Sequence, residues 1–172
     1  MSNIIKAIQE IYPDIQGGFS YWETKYNGSP LTNPIDGLRW ENAEHPKPTW
    51  ADIEVKLAGI NLQEAKNTKL IQIKANRKQS TYLPVEYNGS TFTNSEVAGN
   101  NLQAADKYSE EPINWLDIDG NLVILSKIDI GNIVRLMMNT RSLGYFKEAQ
   151  LKASIKACTT LAEVEAINIT FE

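Results

Sequence analysis

No proline interrupts the chain between Thr49 and Gln79. Proline is the residue that most reliably ends a helix, so its absence here predicts one helix of about 30 residues, about 45 Å long at 1.5 Å per residue. The start is marked as well. Thr49-Trp50-Ala51-Asp52 places a hydroxyl at the N-cap and a carboxylate three residues on, an Asp variant of the capping box. Trp50, Ile53, Leu57 and Ile60 then follow a 3-4-3 spacing along one face. Beyond Asn61 the stripe slips and breaks up through Leu62, Ala65, Leu70, Ile71 and Ile73. A helix this long exceeds what one small domain covers. It either kinks near Gly59 or lays its stripe against another chain, and that makes Trp50, Ile53, Leu57 and Ile60 the candidate partner-binding residues.

The flanks of this helix read differently from one another. Ile4, Ile5, Ile8 and Ile11 give a short amphipathic helix that Pro13 stops. Phe19, Tyr21 and Trp22 and then Leu38-Arg39-Trp40 predict two strands, separated by the turn-rich Asn27-Gly28-Ser29-Pro30, Asn33-Pro34 and Asp36-Gly37. Residues 1–48 are thus a small helix-hairpin element whose core is closed by Trp22 and Trp40, ending in the stiff, extended linker His45-Pro46-Lys47-Pro48. After the connecting helix, 49–79, the period changes to two. Tyr82–Tyr87 and Thr91-Phe92-Thr93 flank Asn88-Gly89, the strongest short hairpin signal. Residues 94–108 predict a polar helix with Val97, Leu102 and Ala105 on its weak stripe. Ile113–Ile118 and Leu122–Leu125 form a second hairpin around Asp119-Gly120. Ser126-Lys127-Ile128-Asp129 is another capping box, opening a helix with Ile130, Ile133, Val134, Met137 and Met138 inward, which continues through Phe146, Leu151 and Ile155. Gly131 and Gly144 weaken it by about 1 kcal/mol each. Thr160-Leu161-Ala162-Glu163 caps a last short helix. The expected fold class is α+β: an N-terminal helix-hairpin element, a long connecting helix, and a C-terminal domain, residues 80–172, of two β-hairpins packed on helices.

Composition narrows the chemistry. Among 172 residues there is one Cys and one His, so no intrachain disulfide and no Cys/His zinc cluster can form within one subunit. Net charge is −4, but it is uneven. Residues 51–80 carry 6 basic and 3 acidic groups, net +3, and residues 81–120 carry 1 and 7, net −6. The basic helix, with Lys56, Lys66, Lys69, Lys74, Arg77 and Lys78, lacks the interleaved aromatics of a single-strand platform, so nucleic acid is not the expected partner. No window reaches 18 consecutive apolar residues and the N-terminus is no signal peptide, so a soluble protein of a reducing compartment is expected, with no membrane partner.

Each candidate for chemistry has a plainer reading. Asp117, Asp119 and Asn121 alternate as calcium ligands do, but the distal bidentate Glu is absent and Asp119-Gly120 reads as a turn. Glu110, Glu111 and Asp117 offer an acid-base pair for a hydrolase; a solvated acidic face explains them better. Cys158 near a helix end reads as a buried small hydrophobe. His45, the only imidazole, sits in a proline linker. No catalytic, metal-ligating or cofactor-binding residues are expected, no cofactor, and no enzyme activity.

The serial order of short motifs carries a resemblance. Ile8-Gln9-Glu10-Ile11-Tyr12-Pro13, an Asp-Gly-x-x-Trp strand ending at Trp40, and Pro46-Lys47-Pro48-Thr49 opening a helix resemble the start of small phage tail-region proteins, encoded near tail fibres and called tail fibre assembly or tail chaperone proteins. Val85, Tyr87, Gly89 and Phe92, then Trp115 with Asp119-Gly120, the helix from Ser126, and Leu151–Ala157 with Thr160–Val164 are similar to a C-terminal domain of unknown function in the same proteins. What the resemblance implies is a bacteriophage protein that binds a tail fibre or receptor-binding protein and assists its folding, trimerisation or attachment, in the cytoplasm of the infected host. A permanent structural component of the virion tail or baseplate is the alternative, and a homo-oligomer through the connecting helix remains open.

Overall fold

The computed structural model describes residues 2–22, 31 and 34–171. The expected turn at Asn27–Pro30, together with Asn33, lies outside the described residues. The chain forms two compact units, Met1–Asn67 with Thr159–Glu165, and Thr68–Cys158 with Ala166–Glu172. The division falls inside the connecting helix rather than at its ends. The class is α+β, with helices carrying three separate two-stranded antiparallel hairpins.

In the first unit α1, Asn3–Ile11, starts where the Ser2 hydroxyl accepts from the Ile4 N–H, and its last turn is closed by the Tyr12 N–H on Ile8 O, just before Pro13. Strands β1 (Phe19–Tyr21) and β2 (Leu38–Trp40) pair with Phe19 opposite Trp40 and Tyr21 opposite Leu38. Helix α2, Trp50–Thr81, opens on the expected box: Asp52 Oδ2 accepts from the Thr49 N–H at 3.0 Å and the Asp52 N–H donates to Thr49 Oγ1 at 3.2 Å. It runs uninterrupted through Gly59. Its stripe meets α1 and the hairpin of its own chain. Ile53 and Ile60 are buried with Ala7, Ile8, Ile15 and Leu38, while Trp50, Leu57, Trp40 and Phe19 pack around them. Trp22 is 52% exposed and does not close this core, contrary to expectation; the Phe19 ring stacks on Trp40 instead. The proline segment is tied down rather than free. Tyr12 stacks on His45, and Trp40 Nε1 and Tyr12 OH donate to the carbonyls of His45 and Pro46. Helix α5, Leu161–Ala166, starts on Thr160, whose Oγ1 accepts from the Glu163 N–H.

The second unit begins with the C-terminal part of α2. Strands β3 (Val85–Tyr87) and β4 (Ser90–Phe92) join through Asn88-Gly89, both at positive φ, 49° and 79°, as a two-residue hairpin of this hand requires. The first strand is shorter than expected. Helix α2 persists to Thr81, turn bonds from Tyr82 and Leu83 follow, and Pro84 has no N–H to pair. Helix α3, Glu96–Tyr108, is N-capped by Ser95. Strands β5 (Ile113–Leu116) and β6 (Leu122–Leu125) pair next, and α4, Lys127–Ala157, opens on the Ser126/Asp129 capping box and passes through both Gly131 and Gly144. The core gathers Val85, Phe92, Leu102, Leu125, Ile130, Ile133, Val134 and Met137. Val97 and Met138, inward on the sequence pattern, are instead 69% and 55% exposed. Each stripe residue sits on a helix whose buried face is narrower than its apolar content.

Among the described residues no helix is long and apolar enough to cross a membrane.

Candidate functional site

The four residues expected to meet a partner pack within the first unit to different depths. Ile53 is fully buried and Ile60 is 8% exposed, while Trp50 and Leu57 are half-buried and pack against that core. The carboxylates expected as an acid-base alternative are not brought together as one. Asp117 Oδ1 accepts from the N–H groups of Asp119 and Asn121 at 3.0 and 2.7 Å, and Oδ2 accepts from Asn121 Nδ2. These bonds, Asn121 foremost, hold its carboxyl below the usual range, and they shape the turn. Glu110 and Glu111 are not buried beside it: Glu111 is exposed and Glu110 reaches towards Lys127 at 3.4 Å. Among the described residues no group of three or more His, Cys, Asp or Glu side chains could hold a metal ion. Cys158 is half-buried rather than buried, with Sγ 3.3 Å from Ser154 O.

The second unit holds two polar knots that composition did not announce. Glu148 is a carboxylate within α4, its side chain only 9% exposed. Arg77 Nε of α2 and Lys152 Nζ each lie 2.5 Å from one of its oxygens, and the Arg77 guanidinium covers the Tyr145 ring at 4.5 Å. Burial pushes the Glu148 carboxyl up, but the hydrogen bond and charge of Lys152, with Arg77, outweigh it and hold the group below its ordinary value. Asn94, fully buried, donates from Nδ2 to Thr81 O and accepts at Oδ1 from Arg141 Nη2, which also donates to Ser95 O. Gly99 leaves room for this arginine: a Cβ there would come within 2.7 Å of Arg141 Nη2. The two knots brace α4 against the end of α2 and the start of α3.

Beside the first knot a segment without helix or strand lies on α2. From Ile167 to Phe171 burial alternates, with Ile167, Ile169 and Phe171 half-buried and Asn168 and Thr170 exposed. Lys69 Nζ donates to Ile167 O at 2.9 Å and Asn76 Nδ2 to Ile169 O at 3.0 Å. Phe171 also lines an open groove of about 220 Å³ with Ser80, Leu83, Thr140, Leu143, Gly144 and Lys147, whose Nζ lies 5.8 Å from the Phe171 ring centroid. The alternating Ile-Asn-Ile-Thr-Phe is the signal in the sequence that could have marked this segment.

A second surface is apolar and outward. The pleat of β5 and β6 turns Ile113, Trp115, Val123 and Leu125 to the core and leaves Leu116, Leu122 and Ile124 exposed at 60%, 65% and 69%. Ile118, just beyond β5, is also exposed, although its N–H is bonded to Thr91 O.

Neither the curated proteins nor the solved structures hold a significant match to the chain. A family model does match, over residues 64–170, which takes in nearly all of the second unit with both polar knots, the hairpin face and most of the extended segment; the chain belongs to the family described as "Domain of unknown function (DUF4376)".

Proposed function

We propose that this chain is a bacteriophage tail-region protein that binds a tail fibre or receptor-binding protein and assists its folding, trimerisation or attachment, acting by contact rather than by catalysis. The observation that carries this reading is the outward face of the β5–β6 hairpin, where Leu116, Leu122 and Ile124 are exposed together. Aliphatic side chains grouped on one strand face are costly to leave in water and mark a surface that another protein covers. The order of motifs from Ile8 to Val164, which resembles that of tail assembly proteins, supports the choice of partner. The place of action is then the cytoplasm of the infected bacterium.

Co-expression with a tail fibre of the same phage tests this. Mature fibre trimers are expected to fall without the protein, and to fall equally with Leu122→Lys plus Ile124→Lys. Fibres that mature equally well in its absence end the assembly reading. Mass spectrometry of purified particles separates an assembly factor, absent from them, from a permanent component of tail or baseplate.

A further inference from the structure

The hairpin of β5 and β6 pairs with no third strand among the described residues. In an antiparallel pair, residues whose N–H and carbonyl face the partner strand alternate with residues whose groups face away from it. The Asp117 N–H donates to Asn121 O across the ladder. Two residues further along, Trp115 and Val123 are therefore the next bonded pair, and Leu122 and Ile124 carry the backbone groups that point away from β5. Among the described residues no hydrogen bond reaches these four groups. The opposite edge, along β5, is flanked by β4, whose Thr91 carbonyl accepts from the Ile118 N–H.

We propose that the free edge of β6 is a self-association site: a second copy of the chain lays its own β6 antiparallel to it, and the two hairpins join into one four-stranded sheet about a twofold axis. This site goes beyond the tail-assembly reading and stands without it.

Three observations select a second copy as the occupant. The free edge is two residues long and closed at both ends. The Gly120 N–H is bonded to Asp117 O, while the Ser126 N–H donates to Asp129 Oδ2 and its carbonyl accepts from the Ile130 N–H. One antiparallel register, Leu122 opposite the partner's Ile124 and Ile124 opposite the partner's Leu122, bonds all four free groups of each copy. Other registers leave some of them open. Such reciprocal contact is what a twofold axis builds. The side chains match as well. Leu122 and Ile124 are 65% and 69% exposed, and this register sets them beside one another on the outward face, where each copy covers part of the aliphatic surface of the other. Finally, the two ends of the edge carry opposite charges. Continuing the same count puts Asp119, exposed in the turn, opposite the partner's Lys127 at the start of α4. The Lys127 side chain is 45% exposed and reaches Glu110 at 3.4 Å. Both ends of the interface then join a carboxylate to an ammonium.

Sedimentation of the full chain over a concentration series tests this, at low salt where exposed ion pairs are least screened. No fibre is present, so failure here leaves the tail-assembly reading untouched. The wild type is expected to show a reversible monomer–dimer equilibrium. Ile124→Pro removes an outward N–H and no ladder bond, a change that edge strands tolerate, and should weaken the dimer at least about tenfold. Asp119→Lys and Lys127→Asp each set like charges together at both ends of their own dimer, and each should weaken it about tenfold. Mixed in equal amounts, these two variants should recover the wild-type affinity, because both ends of the mixed dimer again join Lys to Asp. A wild type that is monomeric at about 1 mM overturns the proposal. So does a dimer unchanged by Ile124→Pro, or a mixture that associates no more tightly than its components. If Ile124→Pro loses cooperative unfolding, the two charge variants, both at exposed positions, decide by the same outcomes.

Discussion

Glu148→Gln removes the charge from the best-buried carboxylate of the second unit and leaves its shape. The two partners contribute unequally. Lys152 is 41% exposed, so its pair is screened and worth about 0.5 kcal/mol. Arg77 is 14% exposed and its Nε sits 2.5 Å from a carboxylate that is 9% exposed. Breaking a fully buried pair costs about 3–5 kcal/mol, chiefly because the remaining charge stays desolvated. Here the guanidinium keeps the Tyr145 ring, and glutamine keeps one acceptor for it. The expected loss is therefore about 2–3 kcal/mol, or about 5–10 °C in Tm for a chain of this size.

The pH dependence separates this account from a packing defect. The folded-state carboxyl is held below its ordinary value by Lys152 and Arg77 against the opposing effect of burial, so the folded chain binds that proton less readily than the unfolded one. The stabilisation is fully present above the unfolded value of about 4.3 and is lost as pH falls through the folded value. The glutamine that replaces Glu148 in the variant does not titrate. Wild type and variant should therefore differ at pH 7 and converge as pH falls through and below the ordinary glutamate range. Urea unfolding, with hydrogen exchange over 140–157 to report on the second unit alone, measures the gap at each pH. A gap near zero at pH 7, or one that does not shrink as the pH is lowered into the acid-unfolding range, refutes the reasoning.

Asn94→Leu should cost about 2–3 kcal/mol in the same assay, since it strands the buried Thr81 carbonyl and one arm of Arg141. Gly99→Ala, which on helix propensity alone should stabilise α3 by about 1 kcal/mol, should instead destabilise, because the new Cβ meets Arg141 Nη2 while Asn94 and Ser95 hold that nitrogen in place; restored stability in Gly99→Ala with Arg141→Met is the check. Ser126→Ala should cost about 1 kcal/mol of α4 stability by urea melt. Ile53→Asp should unfold the first unit by circular dichroism, whereas Val55→Asp, at a position 73% exposed, should stay within about 0.5 kcal/mol of wild type.

What the sequence made legible was local chemistry. Asn88-Gly89 and Asp119-Gly120 declare hairpins because few residues tolerate positive φ, and both hairpins are there. The boxes at Thr49, Ser126 and Thr160 set helix starts within a residue, since a cap is a contact between neighbours in the chain. Side-chain fate was less legible. Trp22 and Trp40 are the same residue type in one small hairpin element, yet only Trp40 stacks on Phe19 and bonds the carbonyl of His45. Which aromatic is inside depends on what α1 and α2 leave open, and no local signal carries that. Glu148 was invisible for the same reason. A carboxylate inside an apolar helix pattern reads as an exposed position until Arg77, about seventy residues away in the chain, is seen to reach it.

Periodicity misleads about where a partner would sit. The long apolar stripe on α2 reads as the surplus face because its length exceeds one small domain; the chain itself supplies α1 and a hairpin against its first turns, burying Ile53 and Ile60 and leaving Trp50 and Leu57 half-buried beside them. The surplus lies where the sequence looked most ordinary. Leu122-Val123-Ile124-Leu125 is a continuous apolar run, the signature of a strand covered on both faces, but in the structure only Leu125 is buried and Leu122 and Ile124 face outward. With one face in water, this strand carries the surface on which the proposed partner would sit. That is a stronger pointer to partner binding than any amphipathic stripe, because an amphipathic element already satisfies its apolar side when its own chain folds.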